Sequence, residues 1–412
     1  MFISRARRRR RELVASAVLG LLLVGATGIP AHADSTRRQQ WFLDAMKAEQ
    51  MWRTSTGQGV TVAVIDSGVD QDNPDLKGRI LPGKDFATDQ AGDEHTDYDG
   101  HGTGMAGLIA GTGAYDSGNG AFGLAPGAKI LPIRMPDAAA AADEGEAARQ
   151  FNEAAPKAIR YAADSGARVI NISLGQTESS AKLTAAVRYA LEKGALIFAA
   201  VGNSGDKGNQ VEYPAATPGV VGVAAVGKNL NRTAESEHGP QVDLAAPGED
   251  LVYACASQSG LCQGHGTSGA TALASASAAL IWSHHPTWTS NQILRVLLNT
   301  IGTPTDGAKR NNSIGYGIVR PRIALQNPGD PGPAGEYPLP DLAAAQTSPS
   351  PGSNASASSA AGAPAKGDGL PAADSSSGDS GGSVLWGGLG VGAVVLAGGG
   401  AVAFLARRRR PV

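Results

Sequence analysis

Three short strings carry the side chains of nucleophilic acyl chemistry: an aspartate in Val64-Ile65-Asp66-Ser67-Gly68-Val69, a histidine in Asp99-Gly100-His101-Gly102-Thr103-Gly104, and a serine in Gly266-Thr267-Ser268-Gly269-Ala270. A serine hydroxyl is a poor nucleophile until a base takes its proton. Imidazole suits that task because its unperturbed pKa lies near neutrality. A buried carboxylate fixes the imidazole tautomer and stabilises the imidazolium. The tetrahedral adduct needs hydrogen-bond donors held in place beforehand. Asn203, in Ala199-Ala200-Val201-Gly202-Asn203-Ser204-Gly205, offers a side-chain amide for that purpose. The backbone N–H of Ser268, at a helix start, offers a second. Taken singly, each residue has a plainer use. Asp66 suits a turn cap, His101 a local loop bond, Ser268 an ordinary helix N-terminus, and Asn203 a left-handed turn position.

The positions of these residues depend on the elements around them. Val60–Ile65 is a continuous β-branched run that ends at Asp66, and Lys129–Arg134, Arg168–Ile172, Ala195–Val201, Val220–Val226 and Val242–Leu244 are similar short apolar runs. Runs of this kind suit strands of a parallel sheet covered on both faces. Between them lie helix-like stretches at Gly102–Ala110, Glu144–Ala163, Ala181–Glu192 and Thr267–Ser283, and a last one at Ser290–Leu298 after the capping residue Thr289. The alternation predicts an α/β fold, a three-layer sandwich around a mostly parallel, doubly wound sheet. Ligands of such sheets sit beyond the carboxyl ends of the strands, and Asp66 is at one of those ends.

Composition bounds the rest. The chain has 35 Lys+Arg and 37 Asp+Glu. Setting aside six N-terminal Arg, four C-terminal Arg and Glu12 leaves 25 bases and 36 acids in residues 34–383. An acidic body argues against nucleic acid as a partner. Two cysteines exclude a disulfide-rich mini-scaffold and a four-cysteine zinc site.

Residues 1–33 read as a secretory signal: an Arg-rich start, the apolar run Leu13–Gly28, and Ala31-His32-Ala33 as cleavage site. A retained N-terminal anchor is the alternative, but the run is short for ~30 Å of hydrocarbon. Residues 384–406 hold no charge and precede Arg407–Arg410. Their length, about 34 Å as a helix, predicts one transmembrane crossing. The arginines place the tail 407–412 in the cytoplasm and the body outside the cell. Residues 327–383, rich in Pro, Gly, Ala and Ser, are expected to be a disordered linker.

The order Asp–His–Asn–Ser, with Gly123-Leu124-Ala125-Pro126 and Asn171-Ile172-Ser173-Leu174-Gly175, resembles the subtilisin family of serine endopeptidases (subtilases). The resemblance covers about residues 40–325, and the catalytic domain is expected over 59–326 after an N-terminal extension, 34–58. It implies hydrolysis of peptide bonds by Asp66, His101 and Ser268, with Asn203 in the oxyanion hole. It also implies that Ser173, Leu174 and Gly175 pair with a polypeptide substrate as an added strand. The extension, tether and anchor, with Gln40-Trp41-Phe42-Leu43 and Met51-Trp52, make the layout most similar to mycosins, membrane-anchored subtilases associated with type VII secretion in actinobacteria. That likeness implies a single-pass membrane protein in a secretion complex acting on exported proteins. The alternative is a structural component in which proteolysis is secondary. The extension, too short for a folded inhibitory prodomain, is expected to lie along the body.

Two departures stand out. Gly104 replaces the second histidine of the common His-Gly-Thr-His, and Ala272 replaces a proline after the serine. His265 in His265-Gly266-Thr267 lies too close to Ser268 in sequence to serve as base. The glycine-rich run Gly111–Gly120 follows a helix rather than a strand, so a dinucleotide site is unsupported. No cofactor is required and no metal ligands are assigned. The acidic stretch Asp89–Asp99 offers oxygens for a structural Ca²⁺, as in some subtilases, but lacks EF-hand spacing and reads as a solvated loop. Cys255 and Cys262 close a short loop before the serine, and an exported location permits a disulfide between them.

Overall fold

The computed structural model describes residues 36–256 and 260–347, with side chains to 345. The expected signal and anchor lie outside the described residues. Seven strands form one parallel sheet: β1 Thr61–Asp66, β2 Lys84–Asp85, β3 Lys129–Arg134, β4 Val169–Ile172, β5 Leu196–Ala200, β6 Val221–Val226 and β7 Leu244–Pro247. Their spatial order is β2-β3-β1-β4-β5-β6-β7, and every pairing is parallel. From β1 the chain goes to the edge strand β2, returns through β3 beside β1, and then crosses to build β4 to β7 outward on the other side. The order therefore reverses at β1, and a ligand crevice opens at the carboxyl ends beside it. Asp66 is the last residue of β1.

Alternate residues of each strand serve opposite faces. Val62 and Val64 belong to one buried cluster, with Ile130, Val169, Phe198 and Val223. Ala63 and Ile65 belong to the other, with Ile133, Ile170, Ile172 and Ile197. A sheet buried on both faces explains why its strands read as continuous apolar runs.

Among the described residues, five helices of ten or more residues cover it: α1 His101–Ala110, α2 Glu144–Asp164, α3 Ala181–Glu192, α4 Thr267–His284 and α5 Ser290–Asn299. α2 starts where Asp143 accepts from Glu146 N–H, and α3 where Ser180 accepts from Leu183 N–H. Thr289 and Gln292 close a reciprocal capping box on α5. α4 is buried on nearly every side from Gly269 to Trp282. A helix apolar all round belongs in the middle of a domain, and its many Ala, Ser and Gly residues let the sheet and α1 approach closely. A two-stranded antiparallel hairpin, β8 Leu251–Ala254 and β9 Leu261–Gly264, precedes α4. The apolar-run reading missed it, because only Leu251 and Ala254 of its residues are buried and it carries no strong period.

The extension lies against the body. Phe42 and Leu43 are fully buried. The Gln40 amide donates to the carbonyls of Phe122 and Val252 and accepts from Phe122 N–H. Trp41 donates to the Glu249 carbonyl and Trp52 to the Leu124 carbonyl.

The segment expected to be a disordered linker from residue 327 is ordered as far as the described residues go. Leu339 is buried, Gln292 donates to the Gly332 carbonyl, and Gly219 N–H donates to Asp341. Its composition is linker-like, but sparse apolar anchors such as Tyr337 and Leu339 find a preformed surface on the body. They need no core of their own.

Candidate active site

The carboxyl end of β1 and the N-terminus of α1 meet around Asp66. Its Oδ1 lies 2.7 Å from His101 Nδ1 and accepts from Ser67 N–H at 2.8 Å. Asp66 is fully buried, whereas 31% of the His101 side chain stays exposed. The approach depends on Gly102: a Cβ there would collide with the Gly68 carbonyl oxygen and lie 3.1 Å from Asp66 Cβ.

The helix start is held by groups the sequence reading does not single out. Asp97 Oδ1 accepts from Gly100 N–H at 2.9 Å and its Oδ2 from Thr103 N–H at 2.8 Å. Ser67 Oγ donates to Asp97 at 2.7 Å and accepts from Gly102 N–H at 2.8 Å. Asp99 accepts from the backbone N–H of His101 itself. By sequence, Asp97 and Asp99 belong to a solvated acidic loop. Their work in the fold is to satisfy the orphan amides of α1. Among the described residues, no cluster of three or more His, Cys, Asp or Glu is arranged to hold a metal ion.

Burial of the His101 ring disfavours its charged form, but the charges of Asp66, Asp99 and Asp97 outweigh burial and lift its pKa to about 9. The charged pair therefore contributes stability that is full below the ordinary histidine pKa of about 6.5. That contribution is lost as pH rises through about 9.

Ser268 is the second residue of α4. Its hydroxyl donates to the Ser173 carbonyl at 3.3 Å, and Ser173 Oγ donates to the Ser268 carbonyl at 3.3 Å. Ser173 is held in turn by Asn171, whose amide donates to Ser173 Oγ at 3.0 Å and whose Oδ1 accepts from Ser275 at 3.0 Å. The end of β4 and the start of α4 are thereby locked together. Asn203 Oδ1 accepts from Thr267 N–H at 2.9 Å. A backbone amide can only donate, so the oxygen must face Thr267 and the Asn203 NH₂ is left for the solvent side. Gly266 makes room for this: a Cβ there would sit 3.0 Å from Asn203 Oδ1.

His101, Asn203 and Ser268 line one cavity of about 220 Å³, together with Met105, Tyr253 and His265. Ser268 and His101 share the cavity without a hydrogen bond between them, as is common before substrate aligns such groups. Leu174 and Gly175 follow Ser173 in the chain and are half-buried. His265 pairs with Glu235 at 3.1 Å instead of with the serine.

Tyr253 accounts for one departure in sequence. A Cβ at Gly104 would lie 2.6 Å from the Tyr253 ring, so this ring fills the space beside α1 where a larger residue would stand. Cys255 and Cys262 are disulfide-bonded, with Cα atoms 5.8 Å apart, and tie the hairpin that carries Tyr253. The glycine-rich loop after α1 wraps a buried carboxylate: Asp75 accepts from Tyr115 and Ala121 N–H, and Gly120 leaves it room.

The subtilase family of peptidases matches residues 57–317. The chain belongs to that family. The subtilase is 35% identical to thermitase of Thermoactinomyces vulgaris over 245 residues, 60% of this chain and 82% of thermitase. Among solved structures it is similar to MycP1 from Mycobacterium smegmatis, with a TM-score of 0.60 and 30% identity over 71% of this chain and 86% of that one. The MycP3 protease from the type VII (ESX-3) secretion system gives a TM-score of 0.59 and 35% identity over 69% of this chain and 87% of that one. The subtilase is a serine endopeptidase with mycosin structural neighbours.

Proposed function

We propose that this subtilase hydrolyses exported polypeptides through Asp66, His101 and Ser268, with Asn203 and the Ser268 N–H binding the oxyanion. The observation that carries the reading is the 2.7 Å contact of Asp66 with His101 Nδ1. It commits Nδ1 to the carboxylate and leaves Nε2 as the free nitrogen on a ring that lines the same cavity as Ser268.

Substrate enters along Ser173–Gly175. The Ser268 hydroxyl leaves the Ser173 carbonyl and attacks the scissile carbonyl carbon while His101 Nε2 takes its proton. The carbonyl oxygen gains the negative charge and turns toward the Asn203 amide and the α4 N-terminus. Collapse of the adduct breaks the C–N bond, and His101 hands its proton to the leaving amine. Water then repeats the sequence on the acyl-enzyme and releases the acid. A fluorophosphonate tests the assignment. It is expected to label Ser268 and to leave the Ser268→Ala protein unlabelled, while labelling of that variant elsewhere would end it.

Two expectations follow from the roles. Asn203→Ala removes one oxyanion donor and is expected to lower kcat by about 10²–10³ with little change in KM. His101 must be neutral to act, so kcat/KM is expected to rise with pH along a limb displaced above 6.5, toward the value of about 9 to which the carboxylates lift the imidazole. Asp99→Asn removes one of those charges and is expected to move the limb to lower pH. A limb that stays put would take Asp99 out of the account.

The type VII association rests on the mycosin neighbours, among them MycP1, a serine protease known as an essential component of the type VII (ESX-1) secretion system. The apolar stretch 384–406, the arginines after it and the N-terminal signal fit a body tethered outside the membrane. That neighbour's standing as a component of the system also favours a second role here, as a structural part of the secretion complex. Secretion restored in a deletion strain by the Ser268→Ala protein would place the structural role first.

A further inference from the structure

A groove of about 680 Å³ opens between the N-terminal extension, the turn after β6 and the chain around residues 302–322. It shares no residue with the cavity that holds His101 and Ser268. Its apolar lining comes from Trp41 and Met46 of the extension, from Pro247 at the end of β7, and from Ile318 and Val319.

The turn after β6 adds a leucine against local preference. Gly227 N–H donates to the Asn231 carbonyl and Leu230 N–H to the Gly227 carbonyl, both at 2.9 Å. These bonds close a three-residue loop, 228–230. The last residue of such a loop takes the left-handed conformation, which suits glycine or asparagine. Asparagines stand at 229 and 231, yet the residue with φ 64° is Leu230. Its side chain is 58% exposed, more than that of any other large apolar residue described, and it lines the groove. A strained backbone under an exposed leucine costs stability, and such outliers gather where a surface binds something.

The charge along the groove runs against that of the body. Residues 34–383 carry 25 bases and 36 acids, but the groove is lined by four bases, Lys47, Arg232, Arg320 and Arg322, and one acid, Asp306. Asp306 accepts from the Asn311 amide and from Ala308 N–H. Among the described residues, none of the four bases is ion-paired with a carboxylate. Two guanidinium groups are held in place by neutral carbonyls: Arg320 donates to those of Thr300 and Ile301, and Arg232 to those of Thr233, Ala234 and Ser236. The carbonyls orient the positive charge without cancelling it. A carboxylate arriving there meets donors that lose little freedom on binding.

We propose that this groove docks a segment of a partner polypeptide in which an apolar side chain is flanked by carboxylates. The apolar side chain packs on Leu230 and the residues of the groove, and the carboxylates meet the four bases. The hydroxyls of Thr303, Thr305 and Ser313 stand along the same surface. They suit the amides of a peptide and not an acyl chain. No catalytic residue takes part, so docking stands apart from the hydrolysis proposed above.

Fluorescence anisotropy with the full-length Ser268→Ala protein in detergent tests the proposal. The probe is a short fluorescein-labelled peptide with a central Leu-Phe pair between Glu and Asp residues. Two controls replace its acids by Lys or its Leu-Phe pair by Ser. The acidic apolar peptide is expected to bind at least ten-fold more tightly than either control, and its affinity to fall as salt rises. Reversing two bases, Lys47→Glu with Arg322→Glu, is expected to weaken it at least ten-fold. Leu230→Asn is expected to weaken it several-fold and to melt no lower than its parent, because asparagine suits the turn. Thermal melts show that each variant is folded. Equal affinity for the acidic and basic peptides, no binding at all, or an affinity unchanged in both variants overturns the proposal. Leu230→benzoylphenylalanine identifies the occupant by photocrosslinking. Adducts to the peptide support the proposal. Adducts instead to a second copy of the chain, to the chain's own tail or to lipid of added phosphatidylglycerol vesicles overturn it.

Discussion

Replacing Ser268 by alanine is expected to lower kcat on the order of 10⁶-fold, the loss that removing the nucleophile or the base produces in subtilisin. His101→Ala is expected to cost about as much. The double variant should be no slower than either, because the hydroxyl and the imidazole act on one proton and neither is of use alone. Neither change should unfold the protein. Ser268 and His101 are only partly buried, and the bonds that fix the start of α1 run through Asp97 and Ser67 and not through the imidazole. Single-turnover kinetics with a quenched peptide, alongside a thermal melt, measures both. Multiplicative losses in the double variant would show that serine and histidine do not form one unit.

Asp66→Ala is expected to cost on the order of 10⁴ in kcat, less than loss of nucleophile or base, because the carboxylate acts only through the histidine. Asp66→Asn should be milder than alanine here, for a local reason. Oδ1 of Asp66 receives both the Ser67 N–H and His101 Nδ1, and the backbone donor demands an oxygen at that place. An asparagine is therefore held with its oxygen toward His101, and the useful tautomer survives. What is lost is the charge that stabilises the imidazolium. The amide nitrogen takes the position of Oδ2, which has no hydrogen-bond partner among the described residues. The acid limb of kcat/KM should fall to lower pH in the same variant. An asparagine enzyme as slow as the alanine one would show that the amide had flipped and the tautomer reversed.

The strands were legible because both faces of the sheet are buried. Val220–Val226 has no polar position to blur it, and Val60–Ile65 has only Thr61. The candidate site was legible because its residues stand in short strings that glycine constrains: Gly102 admits the β1 end to His101, and Gly266 admits Asn203 to α4. What escaped notice depends on distant pairing. Asp97 looks like any acid in an acidic loop until Ser67 and the amides of α1 are brought to it. The packed course of residues 327–345 escaped for a related reason. Composition reports whether a segment can make its own core, not whether a neighbour offers one.

The amino-terminal arm has a consequence for how the enzyme is switched on. Its anchors, Gln40, Trp41 and Trp52, fasten to the main chain of Phe122, Val252, Glu249 and Leu124, and none of these is Asp66, His101, Asn203 or Ser268. The arm is thus a strut built into the flank of the molecule and not a stopper in its mouth. On the catalytic reading proposed above, cutting is not expected to wait on removal of the described arm residues, and restraint of this protease falls to whatever governs the delivery of an extended polypeptide segment to the catalytic cleft.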